Sequence, residues 1–264
     1  MGWPAARFRS PRSPGQVAGR PVRRRVPRPG LVSCLFSIAA ATACDGADAG
    51  RARRAGASAY PDILAAAERE RIELAVQWRR ARSPAEEGNV LGRASAALAR
   101  QLADRILPAW VGTPWSLSGA AGAPGGRPIA CGYFVSTALA HAGLEVDRPS
   151  LARQAAEDIV LSLVPEERIA RFRRAPLDQF LARVAAGGDG VYVVGLDRHV
   201  GFLVIDGGTA FFHHSSREAG AVVREPAILS DALATSSYRV AGKLSGPVLA
   251  RSWLAGWPIR TRTR

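Results

Sequence analysis

The stretch between residues 190 and 214 constrains the fold most. It holds three short apolar runs, at residues 190–194, 199–205 and 210–214, and Asp206-Gly207-Gly208 joins the last two. Paired glycines supply the backbone freedom of a tight hairpin turn, so the second and third runs are predicted to be antiparallel neighbours. Val222-Val223 and residues 238–241 add two candidate strands. The chain ahead of residue 190 reads differently. From Pro61 to about Arg82, Ile63, Leu64, Ala67, Ile72, Leu74, Ala75 and Trp78 fall near helical spacing. Ser83-Pro84 breaks that helix, and Ser83 can cap the next one, which carries Leu91, Ala94, Leu98, Leu102 and Ile106 and ends at Pro108. Residues 131–141 read as a helix closed by Gly143, and residues 150–186 as two more helices, broken at Pro165 and Pro176. Helices followed by an antiparallel sheet indicate an α+β domain.

The expected organisation is a signal segment over residues 1–44, a flexible tether over 45–59, a helical hairpin over 60–108 and a catalytic domain over 109–264. Gly, Ala and Arg dominate the tether. The hairpin carries no His or Cys, so a packing or spacer role is expected of it.

Net charge is +14, but eight arginines lie within the first thirty residues and no acid precedes Asp45. Without those eight the charge falls to +6, which suits an anionic cell envelope and defines no nucleic-acid patch. The basic segment precedes an apolar run at residues 31–40 and the small residues Ala41-Thr42-Ala43, the pattern of an export signal. The apolar run is shorter than the ~20 residues that span a bilayer. Ala41-Thr42-Ala43-Cys44 resembles the bacterial lipobox, which would make Cys44 a lipidation site and give the chain its only membrane attachment. Ordinary cleavage leaving an unmodified Cys44 is the alternative. The expected location is the cell envelope, either periplasmic or anchored.

Several common sites are excluded. The chain has no C-x-x-C, no H-E-x-x-H, no G-x-S-x-G and no Rossmann glycine fingerprint. Nothing in it calls for a metal or an organic cofactor. The Gly119–Gly126 stretch lacks the Gly-Lys-Ser/Thr ending of a phosphate loop and reads as a mobile loop beside a site. One thiol, Cys131, remains in the domain beside four histidines. A thiol opening a helix faces the positive end of its dipole and its free N–H groups, which favour thiolate and suit an oxyanion. The bland alternative is a small buried hydrophobe. His199 opens an alternating strand and shares a face with Gly201, which is expected to leave space beside the ring.

Taken in order, Trp115, Ala130-Cys131-Gly132-Tyr133-Phe134-Val135, His199-Val200-Gly201-Phe202 and Phe211-Phe212-His213 resemble the NlpC/P60 cysteine peptidases. The likeness spans about residues 109–225. It implies a papain-like fold, with the catalytic helix on an antiparallel sheet, and hydrolysis of amide bonds in peptidoglycan stem peptides. It implies Cys131 as nucleophile, His199 as general base and His213 as the residue orienting that base, with Trp115, Gly132 and Gly201 on the substrate side. Two departures mark a divergent member: Ala130 stands where the family has Asp, and Trp115 where it has Tyr. The orienting position has a second candidate, because a regular two-residue turn at Gly207-Gly208 puts His214 on the face of His199. Asp197 could also orient the base, although a solvated loop acid is the plainer reading, and His141 is read as structural. Two other functions are compatible with the pattern. One is an envelope-anchored binding module that has lost catalysis; the other is a thiol acyltransferase or lipid-directed hydrolase, which an apolar groove beside Cys131 would favour.

Overall fold

The computed structural model describes residues 45–262, with side chains from residue 59 onward. The signal segment and Cys44 lie outside the described residues. Helix α1 (Asp45–Arg80) begins where a tether is expected from composition, and it carries Pro61 in its interior. The turn after it behaves as the sequence indicates. Ser83 caps α2 (Pro84–Arg100), its Oγ accepting from Glu86 N–H at 3.2 Å, while the Glu86 carboxylate accepts from Arg82 N–H at 2.7 Å. A π-helical turn (Gln101–Ile106) and the short α3 (Leu107–Trp110) extend α2.

After a Gly-rich loop come α4 (Cys131–His141), α5 (Arg148–Ala152) and α6 (Ala156–Leu163). Six strands follow: β1 (Ile169–Arg173), β2 (Gly190–Leu196), β3 (Val200–Asp206), β4 (Thr209–Ser216), β5 (Ala221–Pro226) and β6 (Tyr238–Lys243). Helix α7 (Leu177–Ala185) separates β1 from β2, α8 (Asp231–Ala234) precedes β6, and α9 (Pro247–Ala255) follows it. The strands form one antiparallel sheet in the order β1-β6-β2-β3-β4-β5. This is an α+β protein with helices on a six-stranded sheet.

Two further elements differ from the sequence reading. β1 lies in a stretch read as helix; it pairs only with β6 at the sheet edge and carries three charged or small residues among five. Helix α9 packs on α1 and α2 and turns the hairpin into a three-helix layer. That layer is no separate domain. Leu74, Leu91 and Leu98 of the hairpin share one continuous core with Leu139 of α4, Val193 of β2 and Phe202 of β3. Burial on this side is completed by Phe134 meeting Phe202 edge to face at 5.9 Å. The opposite face of the sheet packs Leu203 and Phe212 against Phe180 of α7, Ala227 and Leu233.

The β3–β4 turn decides which residues share a face. Gly207 and Gly208 have φ of 52° and 80°, the two positive values a type I′ turn needs. The ladder runs from Asp206↔Thr209 to Phe202↔His213 with no bulge. Paired residues share a face, so His213 lies with Phe202 on the side covered by α4, and His214 lies with Phe212 on the other.

Candidate functional site

Cys131 opens α4 after Ala130, which has extended backbone and provides no side-chain cap. The preceding loop is tied down rather than mobile. Ala130 N–H donates to Gly119 C=O at 2.8 Å, Gly125 N–H to Thr113 Oγ1 at 3.1 Å, and the Arg148 guanidinium to Ala121 C=O at 3.0 Å. The buried Ser215 hydroxyl of β4 donates to Ile129 C=O at 2.7 Å, fixing the start of α4 against the sheet. Gly132 permits this packing, since a Cβ there would overlap the Ala152 carbonyl of α5.

The Cys131 side chain meets the N–H of Val200, the residue that follows His199, together with the N–H groups of Gly132 and of Cys131 itself. Val200 lies beyond the last β3–β4 ladder pair, which leaves its N–H free of that ladder. These donors favour a thiolate, but burial opposes them and dominates, so the thiol pKa is raised above its ordinary value. The position of Cys131 at a helix start therefore does not yield the pre-formed thiolate expected from sequence. Among the described residues no hydrogen bond joins its sulfur to a histidine ring.

His199 is half-buried, and its Nε2 lies 2.8 Å from Nδ1 of the buried His214. Nε2 of His214 in turn lies 3.1 Å from a carboxylate oxygen of Glu225 on β5. The His214 ring stacks on Phe212 at 4.5 Å and meets His199 edge to face at 4.9 Å, so packing as well as polar contact holds it. Burial, and to a lesser degree the neighbouring His214, lowers the His199 pKa to about 3. Burial also lowers that of His214, although Glu225 acts in the opposite direction. A protonated thiol and uncharged imidazoles thus occupy the site at neutral pH.

Two sequence expectations change here, and one residue is added. The ring in contact with His199 is that of His214; His213 points to the other face, the one covered by α4, buried, with its Nδ1 lacking a partner and its pKa pushed down to about 4 by burial and the nearby Arg224. The cause is the regular two-residue turn, which sets the parity of β4 relative to β3. Gly201 does not leave the open space expected beside it, because a Cβ there would come within 2.7 Å of Phe212 Cζ and 2.8 Å of His213 C=O. It makes room for the Phe212 ring. Glu225 was not singled out in the sequence, since β5 was legible only as Val222-Val223 and its pairing register needed coordinates.

Of the remaining candidates, Trp115 bridges to Ile129, two residues ahead of Cys131, and Arg217 lies over its ring at 6.0 Å. His141 is structural: its Nδ1 is 2.9 Å from Tyr60 Oη, and it stacks on Trp110, whose indole N–H donates to the same hydroxyl at 2.9 Å. Asp197 does not orient His199. Its carboxylate accepts from the N–H and hydroxyl of Ser237 and from the Ser236 hydroxyl, joining the β2–β3 turn to the start of β6. Among the described residues, no cluster of three or more His, Cys, Asp or Glu is placed to hold a metal ion, and no helix is long and apolar enough to cross a membrane.

Fold and site together define an α+β protein in which the one thiol among the described residues meets the N–H of Val200, next in sequence to a half-buried histidine whose ring contacts a buried one. No protein-family model matches the chain, and neither a curated protein nor a solved structure does.

Proposed function

We propose that the chain is an exported thiol-dependent hydrolase of papain-like, NlpC/P60 type, cleaving amide bonds in peptidoglycan stem peptides through Cys131 and His199. The observation that carries this reading is the Cys131 thiol at the start of α4 against the N–H of Val200, one peptide unit from a histidine held by a second buried histidine. We read Cys131 as the nucleophile, His199 as the base and His214 as the orienting group. The basic, apolar and small-residue segments of residues 1–44 agree with a substrate outside the cell.

Because thiol and imidazole are both uncharged, the reaction is general-base attack and not attack by a pre-formed ion pair. As sulfur adds to the substrate carbonyl, the thiol proton passes to His199, and the imidazolium gives it to the leaving amine. The N–H groups around Cys131 serve the developing oxyanion. Water, deprotonated by His199, then breaks the thioester and releases the free acid, with the proton returned to sulfur.

The test is amine release from a purified stem peptide. Cys131→Ala should abolish it, and His199→Ala should reduce it by at least ~10³. Wild-type turnover by Cys131→Ala would overturn the reading. One observation favours a second reading, an inactive peptide-binding module: the thiol is protonated, and no hydrogen bond joins its sulfur to a histidine ring among the described residues. Tight peptide binding by the wild-type chain without any turnover would select it.

A further inference from the structure

We propose that Glu225 is a positioning residue: through His214 it fixes the tautomer of His199, leaving Nδ1 of His199 as the nitrogen that accepts the thiol proton. The inference rests on the reading of Cys131 and His199 as the reacting pair, and it is carried by the hydrogen-bond chain together with the uncharged state of the two buried rings. A carboxylate oxygen only accepts, so the 3.1 Å contact requires His214 Nε2 to carry the proton. An uncharged His214 protonated at Nε2 has a bare Nδ1. That atom then accepts across the 2.8 Å contact, so His199 Nε2 must donate. An uncharged His199 protonated at Nε2 is bare at Nδ1, and the assignment closes with no free choice.

Each link is built to hold. His214 is buried and clamped between the Phe212 face and the His199 edge. Glu225 sits diagonally across the β4–β5 ladder from it, since Phe212 pairs with Glu225 and His214 with Val223. Glu218 also acts on His214 electrostatically, but its carboxylate takes the Ser216 hydroxyl at 3.3 Å. Glu225 therefore supplies the proton acceptor of the chain. Protonating His214 at both nitrogens would make its Nδ1 a donor, turn the 2.8 Å contact around and move the His199 proton to Nδ1, removing the base.

The test is long-range proton–nitrogen NMR on the full chain with labelled histidine at neutral pH, comparing wild type with Glu225→Gln and Glu225→Leu. The wild-type protein should show His199 and His214 each protonated at Nε2 and bare at Nδ1. Glu225→Gln, whose amide oxygen still accepts, should keep that pattern; Glu225→Leu should lose it at both rings. Peptide hydrolysis should follow the same order, with kcat of Glu225→Leu lower by at least ~10-fold at unchanged KM. A His199 protonated at Nδ1 in the wild type, or an unchanged pattern in Glu225→Leu, overturns the proposal. Correct tautomers in a chain that hydrolyses nothing would uphold the relay and sink the hydrolase reading instead, so the two failures are distinguishable.

Discussion

At the residue scale, the result of most consequence is which histidine stands beside His199. His214 touches its ring, whereas His213 faces the other side of the sheet with an unpartnered nitrogen. In the proposed mechanism His214 sets the orientation and protonation of the base, so His214→Ala should lower kcat/KM by ~10²–10⁴. His213→Leu keeps the volume and removes a buried polar atom without a partner, so its kcat/KM should stay within about 3-fold of wild type. Steady-state kinetics on the stem peptide separate the two, and the reverse order would restore His213 to the site. Cys131 and His199 were legible as residues, because a thiol opening a helix and a histidine opening a strand are local patterns. Their protonation states were not. Burial of the thiol outweighs three favourable N–H groups, and the depth of burial follows from the packing of α4 on the sheet.

At the element scale, the β3–β4 hairpin governs the site. Its turn was legible in Asp206-Gly207-Gly208, and a regular two-residue turn put His214 on the face of His199; the resemblance favoured His213, and the sequence left both open. Gly207 has φ of 52° with no atom within 4 Å of where a Cβ would sit, so strain and not space limits substitution there. Gly207→Val should destabilise the fold by about 1–2 kcal/mol, and Gly207→Asn, which tolerates this backbone, by much less. Urea denaturation of the two variants measures the difference. β1 escaped the sequence reading for a physical reason. An edge strand flanked by Pro165 and Pro176, with one face charged, has neither a continuous apolar run nor clean alternation.

At the scale of the whole molecule, the sequence suggested a hairpin spaced from a catalytic domain, and the structure shows one core running from Leu74 to Phe202. The division was not legible because both parts are separately amphipathic; only their shared interior shows that they pack together. That interior also sets the acid response. His141, His199 and His213 have folded pKa values of about 4, 3 and 4, below the ~6.5 of an unfolded histidine. The unfolded chain therefore binds more protons between those values, so stability is full above pH ~6.5 and falls as pH drops through the window towards the folded values. His199 and His213, the more deeply buried, should each contribute a slope of up to ~1.4 kcal/mol per pH unit. Thermal denaturation between pH 7 and pH 4.5 should show a steady fall in midpoint, and a flat profile would place these rings in water.

The central claim is that Cys131 forms a covalent bond to its substrate. Its most direct test is the intact mass of the full chain, quenched in acid during turnover of a peptidoglycan stem peptide. The predicted result is an acyl adduct of the cleaved peptide mapped to Cys131, lost in Cys131→Ala and slowed to form in His199→Ala. A wild-type chain that binds the peptide yet shows neither adduct nor cleaved product would contradict it.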